Sequence, residues 1–169
     1  MKLITEQEEY KPAEKDIKGY MVAVKKADGT YWTAYLLRPL RAIGEVNDMK
    51  DLLNLDGDEM PLPEIVKNKG GGFSVEEEGL FSIHKDLDAA LSELGWRREG
   101  ITPNKSAPDS GYYQLTNKNI IVLECVIPEN TQYVEGALTY GYDNKEKNER
   151  LPDFFYSARK VICKKELKN

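Results

Sequence analysis

The side chains best suited to chemistry meet at one junction, around the single histidine of the chain. His84 follows Leu80, Phe81 and Ile83 and precedes Lys85, Asp86 and Asp88. An imidazole changes charge near neutral pH, so at a strand end it suits a base or a group that orients a ligand. It lacks a nucleophile, because no Gly-x-Ser-x-Gly elbow occurs anywhere in the sequence and neither Cys125 nor Cys163 stands close to it. Asp86 is committed by its position to capping the next helix, so no nucleophile and base pair forms locally. His84 is therefore read first as a structural or surface histidine and second as a binding residue.

Other candidates carry weaker signals. Residues 54–65 alternate oxygen ligands like a calcium loop, but Glu59 occupies the sharp-turn position that needs glycine and Ile65 the position that needs a bidentate glutamate. Gly70, Gly71 and Gly72 are not followed by the Lys-Ser/Thr of a phosphate loop, so this run reads as a flexible connector. Tyr112, Tyr113, Tyr133, Tyr140, Tyr142 and Tyr156 gather in the second half, where rings with a polar tip suit either a recognition surface or the rim of a sheet. Trp96, Arg97 and Arg98 follow the helix. Their charges complement a helix C-terminus, and they also offer a cation and a ring to an anion. No metal site and no cofactor is implied by any of these patterns.

These residues are positioned by a strand that runs into a helix. Leu87, Ala90, Leu91 and Leu94 recur at helical spacing, which predicts a helix over about 87–94, closed by Gly95 in a left-handed conformation. Residues 19–26 and 31–37 read as strands joined at Asp28 and Gly29, a pair suited to a turn with both residues at positive φ. The near-continuous apolar run over 119–127, stopped by Pro128, predicts a central strand covered on both faces. Residues 38–44 suggest an edge strand broken by Pro39, 47–55 a short helix, 131–140 a short strand and 154–166 a final strand. The segments 56–72, 99–117 and 143–152 read as loops, and 1–18 as a mobile or frayed arm. The expected fold class is α+β, a mainly antiparallel sheet with one clear short helix and long irregular loops, in a single domain over 19–169.

Bulk properties narrow the function classes. With 169 residues the chain is large enough to bury a core unaided. A net charge of −5 argues against general nucleic-acid binding. Residues 44–80 hold ten acidic side chains against three lysines, a local excess that reads as a solvated surface or a face for a basic partner. Two cysteines inside apolar runs suggest buried free thiols in a reducing compartment, and no apolar stretch reaches membrane-spanning length. The expectation is a cytoplasmic protein without a membrane partner.

The order Gly79-Leu80-Phe81-Ser82-Ile83-His84, the Leu87-Asp88-Ala89-Ala90 helix start, the strand from Ile120 to Pro128 and the closing Ser157-Ala158-Arg159-Lys160-Val161 strand resemble a loosely defined group of small proteins of unknown function from bacteriophages, mobile elements and gut bacteria. The resemblance covers roughly the second half of the chain. It implies the order of elements and no activity. Three functions follow as expectations. The favoured one is a non-enzymatic binding or accessory protein whose partner is a protein or small ligand. The second is a divergent relative of ADP-ribosyltransferase-like folds that binds NAD, with His84, Tyr112, Tyr156 and Arg159 as site residues. The third is an oligomer component that works through an exposed strand edge.

Overall fold

Strand outweighs helix by 50 % to 14 %, and the strands join in one curled, half-barrel sheet. The α+β expectation is thereby corrected to a predominantly β fold. The computed structural model describes residues 2–35, 37–52, 61–100, 117–144 and 146–168. In chain order the strands are β1 (Lys2–Thr5), β2 (Lys11–Pro12), β3 (Ile17–Lys25), β4 (Tyr31–Thr33), β5 (Val46–Asp48), β6 (Ile65–Lys67), β7 (Phe73–Glu76), β8 (Phe81–His84), β9 (Ile120–Ile127), β10 (Gln132–Asn144), β11 (Glu149–Ala158) and β12 (Lys160–Leu167). The helices are α1 (Met49–Leu52) and α2 (Leu87–Glu99). The main path across the sheet runs β5-β12-β9-β3-β8-β11-β10-β1-β7-β6, with every described pairing antiparallel.

The additional strand comes from segments that the sequence presents as arms and loops. Lys2–Thr5 is no frayed arm: Leu3 is fully buried, and β1 pairs with both β10 and β7. The glycine run does not act as a loose connector but turns β6 into β7, with Gly71 and Gly72 at positive φ. The charged loop expected at 143–152 is the distal end of a long β10–β11 hairpin. The single strand expected over 154–166 divides at Arg159, where the chain leaves a place between β8 and β10 for one between β5 and β9. Residues 38–44 supply only a bridge between Pro39 and Trp32. The expected helix over 47–55 is strand at Val46–Asp48 and helix at Met49–Leu52, and its end lies outside the described residues.

The central strand is as the sequence predicts. β9 lies between β12 and β3, pairs with β3 from Ile120 to Ile127 and buries Cys125. The β3–β4 hairpin is also present, but its turn differs from the expected one. Gly29 alone takes positive φ, at 85°, its N–H donates to the Lys26 carbonyl, and the Lys26 N–H donates to the Thr30 carbonyl. This is a three-residue hairpin loop, which needs one left-handed residue instead of two.

Helix α2 continues past Gly95. Its final turn is anchored by Arg97, which donates to Glu93 at 2.6 Å, and by Arg98, which donates twice to the Ile120 carbonyl. Asp86 occupies the N-cap in an extended conformation, but its side chain makes no capping bond. The helix buries Ala89, Ala90 and Leu94 and leaves Leu87 exposed, so its inner stripe is turned from the one the leucines suggest.

Among the described residues, three apolar clusters fill the fold. One lies under α2 around Val22, Val24, Leu94 and Val122. A second, around Leu3, Val75, Val134 and Phe155, includes Tyr10, Leu62 and Ile65 as its cover. The largest, around Phe81, Ile83, Leu123, Cys125, Ile127 and Val161, lies on the opposite face of the sheet and is closed by Leu40 and Leu52. β1 and β10 approach closely at Gly136, where a Cβ would meet the Ile4 carbonyl oxygen and so force β1 away from β10.

Candidate functional site

His84 is 1 % exposed, and both its ring nitrogens face carboxylates. Nδ1 lies 3.0 Å from Asp153 Oδ1 and Nε2 lies 2.6 Å from Glu93 Oε1. The ring packs against Phe155 with centroids 4.3 Å apart. Three elements supply the site: β8 carries the histidine, α2 the glutamate and β11 the aspartate. Glu93 Oε2 in turn accepts from Arg97 Nε, so two cations and two carboxylates alternate.

This arrangement selects the doubly protonated ring. Burial alone pushes the imidazole pKa down, but hydrogen bonds to Asp153 and Glu93 outweigh it and raise the value to about 9. Burial likewise pushes Glu93 up, and its bonds to His84 and its charge contacts with His84 and Arg97 hold it below the ordinary carboxylate range. An imidazolium that donates from both nitrogens has no lone pair for a proton or a metal. His84 is a charged pin between β8, α2 and β11 and does not fit the role of base.

A second polar group lies beside it. Glu77 is buried after β7, and its Oε1 accepts from Ser82 at 3.1 Å and Ser157 at 2.8 Å. Its Oε2 has no hydrogen-bond partner among the described residues. Burial pushes this carboxyl above its ordinary range more than the two serine donors lower it.

The four expected site residues do not converge. His84 projects with Phe155 toward the α2 side, whereas Tyr156 pairs with Ile83 and projects to the opposite face. Arg159 sits at the corner between β11 and β12 and donates to the Pro61 carbonyl at 3.0 Å. Nearby, the Tyr10 hydroxyl donates to the Pro63 carbonyl at 2.6 Å, and burial, opposed by Arg159, raises its pKa to about 12. Tyr112 lies outside the described residues. Among the described residues no group of three or more His, Cys, Asp or Glu is placed to hold a metal ion, and no helix is long and apolar enough to cross a membrane.

An exposed surface of aromatic and charged side chains lies on the face opposite α2. Register places Tyr133 and Glu135 of β10, Phe154 and Tyr156 of β11, and Lys85 after β8 on that side. Lys85 Nζ is 2.6 Å from Glu135 and 4.9 Å from the centre of the Tyr156 ring, which meets Tyr133 edge-on at 6.0 Å. Phe154 remains 41 % exposed. The same face continues across Ala137, Ile4 and Ser74, partners in adjacent strands, to Val66, which is 52 % exposed on the terminal strand β6.

Glu93 and Asp153 escaped the reading of the sequence, although both left a signal. Glu93 lies three residues after Ala90 and four after Ala89, which puts a charge inside the helix's buried stripe. Asp153 alternates with Phe155 and Ser157 along β11. The Lys85, Glu135 and Tyr156 group is legible only from strand pairing. Comparison with known proteins returned no matching family model and no significant match among curated proteins or solved structures.

Proposed function

We propose that this chain is a non-enzymatic binding protein whose working surface is the β10–β11 face opposite α2. The observation that carries the reading is a row from Phe154 through Ala137 and Ile4 to Val66, half-exposed except where the buried Ser74 joins Ile4 to Val66, and bordered by Tyr133, Tyr156 and the Lys85–Glu135 pair. Aromatic anchors beside a charged pair suit a protein partner that brings apolar side chains to the row and polar groups to its rim. The commitment of His84 to two carboxylates favours this reading over the NAD-binding one.

Parallel affinity capture with the wild-type chain and a Phe154→Ser, Tyr156→Ala variant of unchanged thermal stability tests it. A partner held by the first and lost by the second supports the proposal. Equal retention by both moves the working surface elsewhere. Titration with NAD is the counter-test, since a stoichiometric site abolished by His84→Ala replaces the binding-protein reading with the transferase-like one. The exposed Val66 on β6 favours a second reading, assembly of like copies along that edge, and light scattering on Val66→Lys separates it from capture of a different protein.

A further inference from the structure

Cys125 on β9 and Cys163 on β12 are direct cross-strand partners. Both are free, fully buried thiols, and both belong to the same apolar cluster, so their side chains leave the sheet on one face. Directly opposed residues of an antiparallel pair have Cα atoms roughly 4.5 to 5.5 Å apart, inside the range a disulfide spans. The ladder is irregular immediately beyond the pair, between Cys163 and Lys165, which gives β12 room to adjust. On the other side of β12 lies the three-residue edge strand β5, whose Asn47 donates to Cys163 Sγ at 3.9 Å and to the Val161 carbonyl at 3.4 Å, while the Gly44 N–H just before it donates to the Cys163 carbonyl. Opening of that short edge uncovers Cys163 first.

We propose that Cys125 and Cys163 are an oxidative modification site that closes to a cross-strand disulfide when the chain meets a low-molecular-weight disulfide. The Cys163 thiol loses its proton and attacks one sulfur of the reagent, whose S–S bond breaks and releases one thiol. The Cys125 thiol then loses its proton and attacks Cys163 Sγ, forming the protein S–S bond and expelling the second thiol. Two cysteines are oxidised by two electrons, and the reagent disulfide is reduced to two thiols. Burial raises the Cys163 pKa to about 11 and that of Cys125 well above its ordinary value, so closure is slow; Cys163 is the attacking group because β12 lies one strand nearer the β5 edge than β9 does. The product ties the last strand, and with it β5, to the centre of the sheet.

The test incubates the reduced, folded chain with oxidised glutathione, followed by acid quench, intact mass and peptide mapping. The expected product has lost the mass of two hydrogen atoms and yields a linked peptide containing Cys125 and Cys163. A Cys125→Ala chain, lacking the resolving thiol, instead retains one glutathionyl group on Cys163. The proposal is overturned if folded wild-type chain keeps both thiols while the same chain in denaturant is oxidised. A persistent glutathione adduct on the wild type overturns it equally.

Discussion

His84 Nε2 and Glu93 Oε1 meet at 2.6 Å across the joint between β8 and α2. With Asp153 at the other nitrogen, the contact favours the charged form of the chain's one histidine at neutral pH. The residue that most suggests catalysis in the sequence thus fixes where the helix lies.

Stability should depend on pH through this ring. The folded pKa of about 9 stands above the ordinary value of 6.5, so the folded chain holds a proton that the unfolded chain releases. The stabilisation is complete below the unfolded value and is lost as pH rises through the folded one, an effect of roughly 3 kcal/mol. Urea midpoints measured from about pH 6 to about pH 10 should fall across that window. In His84→Asn this fall should vanish, and at neutral pH the variant should cost about 3 to 5 kcal/mol because the buried Asp153 loses its counter-charge and Glu93 is left with Arg97 alone. A flat wild-type profile would place a neutral ring between them.

What the sequence shows of this fold depends on how much of each strand's surroundings is local. β9 is legible because it is buried on both faces, so that nearly every residue is apolar. β1 is not, because both its pairing partners, β7 and β10, are remote in sequence and it spans only four residues. Gly95 misleads as a helix stop because the bonds from Arg98 to Ile120 that carry α2 onward cross to another element. The site follows the same rule. His84 is visible, while its meaning lies with Glu93 and Asp153, on two other elements.

Val122 tests the central strand. Its side chain is buried under α2 and touches the cluster of Val22, Val24 and Leu94. Val122→Ala should lower unfolding free energy by about 1 to 3 kcal/mol, read from denaturant melts. An unchanged midpoint would put this strand at the surface.

Two glycines should separate conformational strain from steric exclusion. At Gly29 a Cβ meets nothing within 4 Å, but φ is 85°, so Gly29→Val should cost roughly 1 kcal/mol or more from backbone strain. At Gly136 a Cβ would strike backbone of Ile4, so even Gly136→Ala should cost more than the hairpin variant and loosen β1. Hydrogen exchange at Leu3 and Ile4 reads the second effect directly. Equal protection in wild type and Gly136→Ala would show that β1 does not rest on this contact.

Glu77 should behave in the opposite sense to His84 when its charge is removed. Both serine hydroxyls bond one oxygen, and the other oxygen is buried without a hydrogen-bond partner among the described residues, so the ionised form is poorly compensated. Its folded pKa is raised, which means that the folded chain binds a proton more tightly and loses stability as pH rises from the ordinary carboxylate range through the folded value. Glu77→Gln keeps the acceptor for Ser82 and Ser157 and abolishes the charge. The variant should match or exceed wild-type stability at neutral pH, by about 1 kcal/mol, and lose that part of the pH dependence. Urea melts of the two chains at acidic and neutral pH decide it: a variant less stable than wild type at neutral pH would show that Glu77 works as a carboxylate, held by a cation that the two serines do not supply.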